Sequence, residues 1–405
     1  MQAIKYIILA AFLGLISCAE KNSTSTTQDS TLPELLNRNE AIQNGKEWET
    51  IQNYYAKNRL KLSEKPDDLE ARLELAQLFV QEARITGEHG HYYPAALRMT
   101  DEILQLTPSD KDILFMTLVT KAGVQLSQHD FAAALETGEK ALTLNPYNAQ
   151  VYGTLVDAHV ELGNYTKAVE VADKMVSIRP DLRSYSRVSY LREIYGKIDG
   201  AIEAMKLAVS AGAPGQEQTA WTRLTLGNLY QTYGNLEQAA QEYQIILQER
   251  PNYPFAIAAL AEVEMAKENY QEAERLLNEA KNIIPEVGFY EQLAHLYQKT
   301  NRMAEAKSTI KEIFTMLEDD VMHGHNMNLE YAVIHRDLTE NYEEALKYAQ
   351  AEYEKRPNNI DLNKLMASIL SKQGKTEAAV SYLQQAKITN SQHPELLAIQ
   401  TSLNQ

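Results

Sequence analysis

Alanine recurs along this sequence at Ala96, Ala134, Ala168, Ala201, Ala239, Ala273, Ala306, Ala345 and Ala379. The separations are 38, 34, 33, 38, 34, 33, 39 and 34 residues, a period near 34 with occasional insertions of about four or five. Prolines that close helical patterns keep step, at Pro108, Pro146, Pro180, Pro214, Pro251, Pro285, Pro357 and Pro394. Self-similarity on this scale marks a stack of small supersecondary units, none of which can bury its apolar face alone. Chance alanines in a non-repeating helical bundle do not reproduce the series.

The residues inside one unit explain the period. Tyr152, Leu155 and His159 share a helical face, Gly163-Asn164 breaks the chain, and Tyr165, Ala168, Ala172 and Met175 form a second face before Arg179-Pro180. Spacings of three and four read as amphipathic helices, with Gly-Asn as the turn between them. A small side chain at Ala168 lets the two helices approach closely. The same grammar runs through Leu226-Gly227, Tyr230, Gly234-Asn235-Leu236, Ala239, Tyr243 and Pro251, and through Leu260-Ala261, Asn269-Tyr270, Ala273, Leu277, Ala280 and Pro285.

On these positions the chain resembles the tetratricopeptide-repeat proteins. The resemblance implies an all-α fold, a right-handed superhelical solenoid of helix pairs with about nine units over residues 67–392, each packed on its neighbours. Residues 34–66, with Trp48, Tyr54 and Tyr55, read as an irregular leading helix pair, and residues 393–405 as a capping helix and tail. His89-Gly90-His91-Tyr92-Tyr93-Pro94, Ser184 to Glu193, Ala213-Pro214-Gly215 with Ala220-Trp221, and Asn326 to Ala332 with Arg356-Pro357 are similar to a widespread bacterial family of such proteins. That family resembles a scaffold class with no assigned reaction, which implies a non-enzymatic role.

The amino-terminal end carries a second signal. Lys5 is followed by the apolar run Ile7 to Ile16, far shorter than the ~20 residues that span a bilayer, and Ser17 precedes Cys18, the single cysteine of the chain. Leu15-Ile16-Ser17-Cys18 resembles the lipobox of bacterial lipoproteins. This implies that residues 1–17 are a lipoprotein signal peptide, that Cys18 is the lipidation site, and that its acyl chains, stable as a set of two or three, hold the protein at a membrane. Residues 18–33, containing the Ser/Thr-rich run Asn22 to Thr27, read as the lipidated cysteine and a flexible tether. Ala19 is not the aspartate that retains enteric lipoproteins at the inner membrane, so the expected address is the cell outer membrane, with its periplasmic or cell-surface face left open. The competing reading is an incidental cysteine in an ordinary signal peptide.

Composition narrows the chemistry further. Against 39 Lys+Arg stand 55 Asp+Glu, a formal charge of -16, whereas nucleic-acid binding draws its affinity from Lys/Arg contacts to phosphate; no nucleic acid is expected as a partner. A single cysteine rules out a disulfide framework and a cysteine-based zinc cluster. Gly-rich phosphate loops, Gly-x-Ser-x-Gly elbows and His-Glu-x-x-His motifs are missing from the sequence, so no catalytic residue and no cofactor is assigned. Two His-x-His pairs, His89/His91 and His323/His325, could each offer imidazoles to a metal. Neither has a third and fourth ligand at a defined spacing, and loop-packing histidines, beside Tyr92 and Tyr93, are the preferred reading, so no metal site is assigned.

The resemblance also places a binding surface. In tetratricopeptide arrays the first helix of each pair lines the concave groove. Registering on Ala201 puts Arg183, Arg187 and Tyr190 on that wall in the fifth unit, with Asp157 from the fourth and Trp221 and Asn228 from the sixth beside them. Two arginines, a tyrosine and a tryptophan suit an extended peptide or a carboxylate. Part of this resembles the carboxylate clamp of chaperone-binding members, but Val119, Gly123 and Thr154 stand where that clamp needs Lys and Asn, so a chaperone tail is not the expected partner. Packing between repeats, with the arginines on helix termini or on acids such as Glu193 and Asp181, is the heavier reading. The function expected from the whole chain is a lipid-anchored envelope scaffold with a protein or peptide partner. Its rival is an accessory outer-membrane lipoprotein of a polysaccharide uptake or degradation system.

Overall fold

The structure, a computed structural model, describes residues 32–403; the signal-like segment, Cys18 and nearly all of the tether lie outside the described residues. From Leu35 onward the chain forms one unit, and its fold is all-α. A non-helical stretch and a 3-10 turn, Glu40–Ile42, lead into α1 (Lys46–Glu64). Nine helix pairs follow among the described residues. They are α2/α3 (Leu69–Thr86, His89–Gln105), α4/α5 (Lys111–Ser127, Phe131–Leu144), α6/α7 (Ala149–Glu161, Tyr165–Ile178), α8/α9 (Leu182–Ile194, Ile198–Ser210) and α10/α11 (Glu217–Thr232, Leu236–Glu249). The series continues with α12/α13 (Pro254–Ala266, Tyr270–Ile283), α14/α15 (Val287–Lys299, Met303–Met322), α16/α17 (Asn328–Asp337, Tyr342–Tyr353) and α18/α19 (Ile360–Lys372, Thr376–Ala386). A last helix, α20 (Pro394–Leu403), buries Leu396 and Ile399 against α18 and α19. No helix among the described residues is long and apolar enough to cross a membrane.

Local chemistry sets these boundaries. Side chains of Asp68, Asp110, Asp130, Asn148, Asn235 and Asn359 accept hydrogen bonds from the first-turn N–H groups of the helices they precede. Asp181 and Ser184 form a reciprocal capping box at the start of α8. Each of the nine recurring alanines is buried, eight at 0% exposure and Ala306 at 3%, as a close helix crossing requires. First helices of successive pairs approach one another much more closely than second helices do, so the first helices line the inside of the curve.

Residues 34–66 differ from the expected helix pair. One helix, α1, stands there, because Asn44 (φ +49°) and Gly45 (φ +54°) turn the chain out of a helical path just before it starts. The stretch ahead of α1 is instead bound along its length. The Leu36 N–H donates to the Tyr92 hydroxyl (2.9 Å), Asn39 donates to the Asn282 carbonyl (3.0 Å), and Asn252 donates to the Ala41 carbonyl (3.2 Å).

A second difference concerns which units touch. Neighbour-only packing is expected from the repeat pattern, yet the coil is tight enough to rest on itself. The Asn326 N–H donates to the Gln128 carbonyl (3.1 Å), and the His129 ring bonds the Asn326 carbonyl (3.0 Å). Asn359 donates to the Glu161 carbonyl (3.0 Å), and the Ile360 N–H donates to the Tyr165 hydroxyl (2.7 Å). These partners are 195 to 198 residues apart, a near-constant offset, so turns between paired helices in the early units meet loops between pairs one coil later. Apolar side chains cross the same seam: Ile360 joins the core of Phe115, Tyr152 and Leu155, and Ile42 and Ile85 join that of Ile257, Leu277 and Ile284.

The three arginines buried among the described residues, Arg38, Arg250 and Arg356, all lie at this seam. Arg38 donates to both carboxylate oxygens of fully buried Glu82 (2.8 and 2.7 Å) and to Glu47 (2.8 Å), with its guanidinium 5.2 Å from the Trp48 ring centre. Arg250 donates to the other Glu47 oxygen (2.9 Å) and to the Gly215 carbonyl (2.8 Å). Arg356 pairs with buried Glu352 (2.6 Å) and with Glu161, and lies over the Phe131 ring.

Candidate partner-binding groove

Closure of the coil decides what the inner wall offers. Arg187, on α8, is already engaged: Nε donates to Asp157 Oδ1 (2.9 Å) and to the Gly153 carbonyl (3.0 Å), and Nη2 donates to Asp157 Oδ2 (2.5 Å). Arg187 and Asp157 therefore join two units to each other. Arg183, one turn earlier, is exposed and reaches Gln218 Oε1 at 3.4 Å. Asn228 accepts a hydrogen bond from the buried Tyr243 hydroxyl (2.8 Å), which fixes its side chain against α11. Of the two acids expected to hold the arginines, Asp181 pairs with Arg179 (2.9 Å) and Glu193 accepts from the Tyr233 hydroxyl (3.3 Å).

Tyr190 keeps 38% of its surface exposed. Surrounding protein nevertheless pushes its hydroxyl well above the ordinary phenol value, and the nearby acids Asp361 and Glu161 add to the shift. Trp221, 50% exposed, meets Phe255 edge to face at 5.5 Å, and Phe255 meets Phe289 in the same way at 5.6 Å. These three rings occur at intervals of 34 residues, so they form a stripe along the first helices of three successive pairs.

One member of the wall has no signal in the local sequence. Arg84, near the end of α2, is exposed and lines a crevice with Glu217, Tyr253 and Phe255. It comes from the first pair, and only the return of the coil puts it beside α10 and α12.

The two His-x-His pairs, more than two hundred residues apart, also meet at the seam. The His89 and His325 ring centres lie 6.1 Å apart, His89 stacks on Tyr93 at 5.3 Å, and His89 Nε2 is 3.9 Å from Glu286. Among the described residues no group of three or more His, Cys, Asp or Glu side chains is placed to hold a metal ion. The cluster is instead a place where charge is costly. Burial, then His325 and His129, lower the His89 pKa to about 4; burial and then Asp320 raise Glu286 to about 7, and burial and then Asp319 raise Asp320 to about 6.

Because Glu286 titrates higher in the fold than its ordinary 4.5, the stability it contributes when protonated is lost as the pH rises through 7. Glu286→Gln is therefore expected to stabilise the protein at pH 8 by about 1–3 kcal/mol and to have little effect at pH 5. His89 has the opposite slope: neutral in the fold, it favours the folded state above 6.5 and loses that contribution as the pH falls toward 4. Thermal melts of both proteins at the two pH values check the expectation, and equal effects at pH 5 and pH 8 would rule it out.

Comparison with known proteins agrees with the helix pairs. Family models described as tetratricopeptide repeat match residues 125–193 and 287–316. The chain carries tetratricopeptide repeats. It is 34% identical over 76 residues to the Protein SGT1 homolog of Oryza sativa subsp. japonica, covering 19% of this chain and 20% of that protein. It is 26% identical over 173 residues to the Cellulose synthase 1 operon protein C of Komagataeibacter xylinus, covering 40% of this chain and 13% of that one. The chain thus spans a fifth or less of the length of these two curated relatives. Among solved structures, a thermophilic tetratricopeptide protein of Thermus thermophilus is similar at 22% identity and a TM-score of 0.41, over 48% of this chain and 99% of that one.

Proposed function

We propose that this chain is a non-enzymatic scaffold of the bacterial envelope, anchored by acyl chains on Cys18 in the outer membrane, that binds a protein or peptide partner on the inner wall of its repeats. The observation that carries the binding half is the set of side chains left open on that wall after the coil has closed: Arg183, Tyr190, Trp221 and Asn228 remain exposed, Asn228 with its oxygen bonded to Tyr243, while Arg187 and Asp157 are engaged in holding helices together. The anchoring half rests on the lipobox-like Leu15-Ile16-Ser17-Cys18.

In cells given labelled palmitate, the wild-type chain is expected to take up label and fractionate with membranes, and Cys18→Ser to do neither. A Cys18→Ser protein that still fractionates with membranes without label would sink the anchor. Crosslinking and mass spectrometry on intact cells are expected to return a protein joined to residues of the first helices. Recovery of polysaccharide alone would favour the accessory role in polysaccharide uptake instead.

A further inference from the structure

Charge pairing around the first turn of α10 leaves a local surplus of positive charge in an acidic chain. Arg179 is paired with Asp181, Arg187 with Asp157, and Arg250 with Glu47. Arg84 and Arg183 have no carboxylate within 4.0 Å among the described residues. The acids nearby are engaged elsewhere: Asp181, beside Arg183, pairs with Arg179, and Glu217, beside Arg84, accepts from the Tyr253 hydroxyl at 3.5 Å. Arg84 shares a crevice with Glu217, Arg183 reaches Gln218, and Trp221 follows one turn later on α10. Two guanidinium groups thus lie against the first turn of α10, where the aromatic stripe starts.

We propose that this place is a binding site for an acidic peptide segment, in which Arg84 and Arg183 hold carboxylate groups and Trp221 with Phe255 holds an adjoining apolar or aromatic side chain. The proposal rests on the groove reading above and adds the ligand's chemistry. Guanidinium groups bind carboxylates through paired, directional hydrogen bonds, and a half-exposed indole supplies flat contact area at little entropic cost. Burial and then the neighbouring Arg187 press the Arg183 pKa downward, Asp181 opposes them in part, and Arg84 and Arg179 add to the lowering, so an arriving anion relieves the net repulsion. The site is composite. Arg84 comes from α2 and the remainder from α8, α10 and α12, so it exists only while the coil is closed, and a variant that loosens the seam far from these side chains weakens binding without touching them.

The chain's two tryptophans supply the readout, because Trp48 is buried at 6% exposure and only Trp221 meets solvent. The probe is a synthetic peptide of alternating aspartate and phenylalanine with a free carboxyl end, beside a second in which lysine replaces aspartate. Addition of the acidic peptide to the full chain is expected to shift Trp221 emission saturably, with no shift in Trp221→Phe. Arg84→Glu and Arg183→Glu are each expected to weaken the affinity roughly tenfold or more, with unchanged melting temperatures, since both side chains are exposed. Gly163→Ala is expected to weaken it too. An equal response to the lysine peptide, or full affinity in Arg84→Glu, overturns the proposal. If the acidic peptide fails while crosslinks from intact cells still fall on the first helices, this inference falls and the groove reading stands; crosslinks confined to the second helices remove the groove reading itself.

Discussion

Gly163→Ala loosens the contact between the two turns of the coil and costs the protein about 2–5 kcal/mol, one part from the left-handed backbone and the other from overpacking. Gly163 sits at φ +76°, and a Cβ there would press on the carbonyl carbon of Asn358 and lie 2.5 Å from its oxygen. Backbone cannot yield as a flexible side chain would, so the loop at Asn358 has to move, and with it the Ile360 N–H bonded to Tyr165 and the Arg356 pair with Glu161. The molecule contains its own control. Gly374 occupies the equivalent turn of the ninth pair at φ +72°, with nothing within 4 Å of its Cβ position. Gly374→Ala then carries the backbone cost alone, about 1–2 kcal/mol. Chemical denaturation measures both, and hydrogen exchange at residues 356–360 locates the damage. Equal losses in the two variants, with exchange at 356–360 unchanged, would mean that the seam contributes nothing.

The second large effect is expected at Glu82. Arg38 and Glu82 have side chains at 0% exposure and are bonded through two parallel hydrogen bonds. Burial opposes the charge on Arg38, and hydrogen bonds with Glu82 and then Glu47 more than restore it, raising its pKa. Glu82→Ala leaves a buried guanidinium with Glu47 as its remaining acid, a loss of about 3–5 kcal/mol. The double variant Arg38→Met/Glu82→Leu, which removes both charges and keeps apolar volume, is expected to cost far less. The single variant should also release residues 35–45, which limited proteolysis reads directly. A Glu82→Ala protein with wild-type stability and an uncut 35–45 stretch would show the pair to be dispensable.

Arginine-proline pairs show where legibility in the sequence stops. Arg179-Pro180, Arg250-Pro251 and Arg356-Pro357 are the same signal at the same place in three units, and each closes a second helix as its spacing demands. Arg250 and Arg356 are nonetheless buried, while the Arg179 side chain is 74% exposed. The difference is positional. Loops of the later units have an earlier turn of the coil against them, and those near Arg179 do not. Helix existence and the alanine crossings follow from short-range periodicity, which one unit contains, and the identity of the inner helices follows from the resemblance to tetratricopeptide arrays. Pitch is the sum of small rotations over several units, and no local pattern encodes the sum. That is why Arg84 is invisible as a groove residue in the sequence, whereas the bonds of Arg187 to Asp157 and Gly153 in the adjacent pair are of the neighbour kind that the packing reading anticipates. It also explains residues 35–45, whose apolar side chains look helical but serve as a strap across loops that the sequence alone cannot bring near.

A solenoid whose units touch only their neighbours is elastic: small rotations at every joint let it lengthen under load. The contacts at 128/326, 161/359 and 165/360, together with the Arg250–Glu47 and Arg356–Glu161 pairs, act as rivets between successive windings of that spring. Tension between α2 and α20 would meet a stiff body until one rivet sheared, then a compliant stretch, then the next. A pull on one end of such a body reaches the other end instead of being absorbed along the way.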